Sequence, residues 1–237
     1  MERVNYSQLP REERGKIAET LIYKNTNSDK EYRAVINYLR LKCPEMQKGN
    51  HKIDWKYKIA SDRVNTTDLV NNKTFDMSAS VCYDPKTMEP VGFSGIYYSS
   101  SKEYGTIARG IVTYVDENYR GMGIAQTFHA IQEEKMRRCN VKYYYETQLN
   151  GNIQLSEKNG YTLLSKGSLC KDGTYSQVRY LIDVQIAESI ERYNNLVKSK
   201  GIEWDSPLDF TFFENKYNLL SRKPFTIDEL NEPWKNS

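Results

Sequence analysis

The sequence predicts an α+β fold, and three observations carry that reading. Helical periodicity fills the first third of the chain, short β-rich runs separated by turn residues fill the middle, and a strand runs into a helix through a pair of glycines at 121 and 123. At 237 residues the chain is long enough for one large domain. A chain of this size buries a core without disulfide or metal staples.

The elements follow in order. After Pro10, Ile17 and Leu21, with Ala18 and Ile22, recur at helical spacing. Ser28-Asp29-Lys30-Glu31 is a capping box, a serine followed three residues later by a glutamate. It opens onto Tyr32, Val35, Ile36 and Leu39 on one helix face, and Pro44 closes the run. Helices are therefore expected within 12–42. Residues 45–75 are ambiguous apart from a short strand at 54–59. The runs 77–83 and 91–98 flank Asp84-Pro85-Lys86-Thr87-Met88-Glu89-Pro90 and read as an antiparallel hairpin. A third strand covers 106–115. Ile124, Phe128 and Ile131 then share a helix face within 121–138. A strand at 141–147, a short helix at 151–159 ended by Gly160, and strands at 161–166 and 175–184 complete the body. A last helix carries Ile186, Ile190, Tyr193 and Val197 and stops at Gly201. The aromatics beyond it, among them Trp204, Phe210, Phe212 and Phe213, are too apolar for a solvated tail. The chain thus reads as a body over 1–184 and an extension over 185–237 that packs on the body or on a partner.

Composition removes several function classes. No apolar run reaches the ~18–20 residues of a membrane-spanning helix, and Met1-Glu2-Arg3-Val4-Asn5-Tyr6 has no signal-like apolar region. The expectation is a cytoplasmic protein with no membrane partner. Cys43, Cys82, Cys139 and Cys170 lack Cys-x-x-Cys spacing and read as free thiols, and the two histidines, His51 and His129, leave little for metal binding, so no metal is expected. The net charge of +3 argues weakly for nucleic acid. Tyrosine is in surplus, 19 against 7 phenylalanines, and suits half-wet grooves as well as cores.

The chemistry-bearing stretch is Val115-Asp116-Glu117-Asn118-Tyr119-Arg120-Gly121-Met122-Gly123-Ile124-Ala125. A β-branched strand enters a tight turn that becomes the first turn of an amphipathic helix. Unpaired backbone N–H groups and the helix dipole make such a terminus an anion cradle. Glycines let the backbone approach a phosphate closely. Arg120 adds a positive charge or braces the turn. A dinucleotide-binding turn or a Walker turn would need residues absent here.

Arg120-Gly121-Met122-Gly123-Ile124-Ala125 resembles the Arg/Gln-x-x-Gly-x-Gly/Ala signature of the GCN5-related N-acetyltransferase (GNAT) superfamily. Glu157-Lys158-Asn159-Gly160-Tyr161 resembles that family's second conserved block, and the element order over 75–184 agrees. The resemblance implies a mixed, mainly antiparallel twisted sheet flanked by helices, with 12–42 in place of the family's first two helices. It implies acetyl-CoA as co-substrate, its pyrophosphate on the amides of Gly121, Met122, Gly123, Ile124 and Ala125. Its pantetheine arm would lie along Tyr114 and Val115, in a wedge where the 106–115 and 141–147 strands splay, with Asn150 or Asn152 nearby.

The implied reaction is acetyl transfer to a primary amine, on a small molecule or a macromolecule, by direct attack. The amine must lose a proton and the thiolate must gain one. Glu146 is the leading base candidate, with Glu117 and Asp116 behind it. Where many relatives carry an acidic tyrosine, four residues before the second-block glycine, this chain has Ser156, which can hydrogen-bond but is no useful acid. Tyr161, Tyr143, Tyr145 or a water stands in. His129 reads as a helix-face residue, Lys135-Met136-Arg137-Arg138 as a helix end complementing the dipole, and Arg109 as a groove residue if it faces one. The alternative is a protein directed at nucleic acid on the same scaffold, or a CoA-binding module with weak activity. A homodimer is compatible with either.

Overall fold

The computed structural model describes residues 5–26, 63–151 and 153–206. The elements are α1 (Arg11–Thr20), β1 (Ile22–Thr26), β2 (Thr66–Asp68), β3 (Lys73–Phe75), β4 (Met77–Asp84), β5 (Glu89–Ser101), β6 (Gly105–Val115), α2 (Ile124–Arg138), β7 (Tyr143–Gly151), α3 (Ile153–Lys158), β8 (Thr162–Lys166), β9 (Tyr175–Asp183) and α4 (Ala187–Tyr193). Seven strands form one sheet in the order β1-β4-β5-β6-β7-β9-β8, and β2 and β3 form a separate hairpin. Every pairing in the large sheet is antiparallel except β6 with β7, which is parallel. This is the mixed, mainly antiparallel α+β sheet expected from the resemblance.

Strands β4, β5, β6, β8 and β9 form where the pattern places them, and β7 begins at Tyr143 and runs past residue 147 to Gly151. The hairpin β4–β5 turns through 85–88, where Met88 takes a left-handed φ of 55°. Gly160 (φ 79°) ends the stretch after α3. One expectation fails. Leu21 ends α1 and Ile22–Thr26 is a strand, paired with β4 from Ile22↔Tyr83 to Thr26↔Ala79, not part of a helix. The apparent stripe of Ile17, Leu21 and Ile22 straddles a helix end. α1 buries no residue fully, so no core holds a helix in register there, whereas Leu21 and Tyr23 are buried. The capping box at 28–31, the short strand at 54–59 and the aromatics beyond 206 lie outside the described residues.

α2 lies across one face of the sheet. Ile124, Phe128, Ala130 and Ile131 are buried against Tyr23, Cys82 and Val91, and against Val197 and Trp204 from the C-terminal segment. Full burial of a side chain such as Phe128 stabilises by roughly 1.5–3 kcal/mol. Gly92 makes the contact close: a Cβ there would sit 3.1 Å from both Ile124 and the Phe128 ring. A second cluster holds Tyr98, Met136, Tyr144, Tyr161, Val178, Tyr180 and Ile182. Much of the tyrosine surplus therefore goes into the core, with Tyr83, Tyr98, Tyr144 and Tyr180 among the largest fully buried side chains.

Residues 185–206 pack onto α2. Arg137 Nη1 donates to the Val184 carbonyl at 2.6 Å and to Ser189 Oγ at 2.8 Å, and Arg138 Nη1 pairs with Asp205 at 2.5 Å. The basic end of α2 is committed to these contacts.

Candidate active site

The site begins with a strand that leaves its neighbour. β6 and β7 pair at three positions only, Ile107↔Tyr143, Ala108↔Tyr144 and Arg109↔Tyr145, although β6 continues to Val115 and β7 to Gly151. Ile96 pairs with Gly110 and Gly95 with Val112, so Ile111 is an extra residue, a bulge in β6 two residues after its last pair with β7. Bulges bend a strand and raise its twist. Beyond the bulge Thr113 is exposed, and Ile111 and Val115 are half-buried, on a strand interior to the sheet order. Both strands continue beyond Arg109 and Tyr145 without pairing, which leaves a cleft between β6 and β7. At its apex Gly110 admits the Tyr144 hydroxyl: a Cβ would lie 2.7 Å from that oxygen.

Strand β6 then delivers the chain to the glycine turn. Asp116 caps a short 3₁₀ turn over Glu117–Tyr119, accepting from the Asn118 amide at 2.9 Å. Tyr119 donates to Asp84 at 2.6 Å and meets Tyr6 edge-on. Burial, reinforced by Asp84, pushes the Tyr119 phenol well above its ordinary range. Arg120 Nε donates to the Val115 carbonyl at 3.2 Å, so the guanidinium braces the turn. Gly121 (φ 77°) and Gly123 (φ 78°) are both left-handed, which only glycine adopts freely. A Cβ on Gly121 would strike the Arg14 guanidinium brought in by α1. Gly123 caps α2, and its carbonyl accepts from the Thr127 amide at 2.9 Å. By helix geometry the amides of Ile124, Ala125 and Gln126 have no acceptor within the helix. No acidic residue lies in that first turn. Met122 is half-buried against the core and Ile124 is buried below it. Open amides, a dipole, Arg14 and Arg120 fit a diphosphate, and the β6–β7 cleft leading away from them fits its pantetheine arm.

The catalytic candidates converge on the α2 side of β7. Glu146, one residue past the last β6 pair, is buried, and its Oε1 lies 3.4 Å from His129 Nε2 of α2. Its Oε2 accepts from Gln148 Nε2 at 3.3 Å, and Gln148 Oε1 accepts from Ser156 Oγ of α3 at 3.3 Å. Ser156, Gln148 and Glu146 thus form one hydrogen-bonded row, and His129 lies beside its Glu146 end with a buried Nδ1 that has no partner among the described residues. Tyr161 sits next to this row but donates to Glu133 at 3.4 Å. Burial and then Glu133 raise its phenol well above the ordinary range, which makes it a poor proton donor. Glu133 is itself fixed by Arg192 at 3.0 Å and Ser189 at 2.7 Å.

The other candidates are placed apart. Glu117 is exposed, and Asp116 is engaged in capping. Tyr143 packs on Tyr104, and Tyr145 lies under Arg109, on the face opposite Tyr144. Tyr114, near the end of β6, is buried. Asn150 is in β7 near its end. The sequence reading missed His129 and Gln148 as neighbours of Glu146, and Arg14 as a neighbour of the glycine turn. The available signal was a run of polar residues, His129, Gln132 and Glu133, on the buried side of α2, where only apolar residues would be expected.

Solved structures similar to this chain include the NatC complex bound to Gag peptide and CoA, at 13% identity over 69% of this chain and 98% of that chain with a TM-score of 0.45. They also include Arabidopsis thaliana NAA60 in complex with a bisubstrate analogue, at 14% identity over 69% and 98% with a TM-score of 0.46. A third is an acetyltransferase of the GNAT family from Staphylococcus aureus Mu50, at 13% identity over 69% and 99% with a TM-score of 0.43. No family model and no curated protein matches the chain.

Proposed function

We propose that the chain is an acetyl-CoA-dependent N-acetyltransferase of the GNAT type that acts on a primary amine in a ternary complex. One observation carries the reading: the cleft opened by the Ile111 bulge leads directly to the left-handed Gly121/Gly123 turn at the N-terminus of α2. Together they offer a slot for an extended thiol arm and a cradle for its diphosphate. The amides of Gly121 to Ala125 hold the diphosphate, with Arg14 beside them. The divergent stretch of β6, through Tyr114 and Val115, runs alongside the arm.

Acetyl-CoA supplies an activated thioester carbonyl. The acceptor amine forms the new C–N bond as the C–S bond breaks. Glu146 takes the ammonium proton, directly or through a water, so that a lone pair is available for attack. His129 and Gln148 occupy one oxygen each of that carboxylate and hold it in place. Ser156, at the position where many relatives carry tyrosine, offers a hydroxyl hydrogen bond, and the proton that the attacking nitrogen sheds as the amide forms passes through water to the departing thiolate. The decisive experiment is calorimetric titration with acetyl-CoA, followed by thiol release with a panel of primary amines. Saturable binding and amine-dependent release are expected; no binding at millimolar acetyl-CoA overturns the proposal.

A further inference from the structure

The face of the sheet opposite α2 carries a cation outside the proposed base and diphosphate cradle. Arg109 is the last β6 residue paired with β7, at the apex of the cleft, and it is half-buried. Its register partner there is Tyr145, whose ring lies 5.1 Å below the guanidinium carbon. Its Nε donates to Ser99 Oγ of β5 at 2.8 Å, which fixes the plane of the group. The two terminal nitrogens have no hydrogen-bond or carboxylate partner among the described residues. Four other arginines, Arg63, Arg137, Arg138 and Arg192, each face a carboxylate within 4 Å. A second guanidinium, Arg179, is exposed on this same face, in β9 opposite Thr147 and two positions past Tyr145.

A planar guanidinium anchored at Nε and stacked on an aromatic ring presents two parallel N–H donors, the geometry that receives an oxyanion bidentately. We infer that Arg109 is the acceptor-binding residue for an oxyanion, so that the substrate class is a primary amine carrying a carboxylate or phosphate a few bonds from its nitrogen. The inference rests on the acyl-transfer reading for the amine, but the oxyanion site stands on Arg109, Ser99 and Tyr145 alone. Arg109 orients the acceptor from the face opposite α2 while the acceptor's amine reaches the apex. It takes no part in proton transfer.

The test uses the 237-residue chain with matched probe pairs: β-alanine against β-alaninamide, and phosphoethanolamine against ethanolamine. First, thermal stability is measured with each probe in the absence of CoA. An oxyanion member should raise the melting temperature, its neutral partner should not, and Arg109→Gln should lose the shift while Arg109→Lys keeps part of it. The carboxylate and phosphate pairs tell the two oxyanions apart. Second, thiol release with acetyl-CoA should favour an oxyanion member at least tenfold in kcat/KM, through KM, and Arg109→Gln should bring the ratio within twofold. Circular dichroism confirms that the variants fold. No shift with any oxyanion, or a shift that survives Arg109→Gln, overturns the inference. Oxyanion binding without acetyl-CoA binding would overturn the acyl-transfer reading instead.

Discussion

Gly123→Asp is the sharpest perturbation of the proposed cradle, and Gly123→Ala is its control. A Cβ at this position has room, the nearest atom being Gln126 Oε1 at 3.7 Å, so the alanine does not clash. Both pay for a left-handed φ of 78°, about 1–2 kcal/mol of stability for an L-residue. Gly123→Ala should therefore lower stability by that amount and weaken acetyl-CoA binding only a few-fold. The aspartate adds a negative charge beside the diphosphate. At roughly 5 Å and an effective dielectric of about 20, repulsion from even one phosphate charge is about 3 kcal/mol. That corresponds to a loss of affinity of roughly 100-fold. Isothermal titration calorimetry with acetyl-CoA gives the affinity, and circular dichroism with thermal melting separates it from misfolding. A folded Gly123→Asp protein that binds acetyl-CoA within threefold of wild type would refute the cradle.

Three further outcomes are expected. Glu146→Gln should lower kcat by about 10²–10³ with acetyl-CoA affinity unchanged, as a general base is worth about 10²–10⁴; an unchanged kcat in thiol release assigns the base elsewhere. Glu133→Ala leaves the Arg192 guanidinium buried without its carboxylate and should cost about 3–5 kcal/mol in urea unfolding. A loss below about 1 kcal/mol would show that the pair is not a structural anchor. Lys135 is buried beneath the Phe75 ring, and burial lowers its pKa from 10.5 to about 8. From pH 8 upward the unfolded chain keeps a proton that the folded chain has lost, so this group adds stability as pH rises. Relative to Lys135→Met, wild type should gain about 2 kcal/mol between pH 7 and pH 9.5. A pH-independent difference in urea unfolding would contradict this.

The glycine turn was legible because its chemistry is local: a left-handed backbone demands glycine, and Gly121 and Gly123 declare it wherever they stand. The β4–β5 hairpin was legible through its proline-bearing turn, and α2 through Ile124, Phe128 and Ile131. β1 was not, because Ile17, Leu21 and Ile22 satisfy helical spacing on both sides of a helix end, and only pairing with β4 decides between helix and strand. The partnership of His129 with Glu146 joins residues on two elements, and no local pattern encodes it. The facing of Arg109 was equally hidden. Alternation along β6 is shifted by the extra residue Ile111, and a bulge is set by the register of the neighbouring strand rather than by the sequence of its own.

The three-residue seam between β6 and β7 also has a mechanical meaning. It joins a half-sheet of β1, β4, β5 and β6 to another of β7, β9 and β8. α2 spans the join, with Ile124 and Phe128 in one core cluster and Met136 in the other. Cooperative units of this kind open separately when few bonds connect them. Amide exchange should then be faster at Tyr143–Tyr145 than in the centres of β5 and β9. A ligand lying along the cleft acts as a splint across the two halves, and its arrival is read as slowed exchange on both sides of the seam.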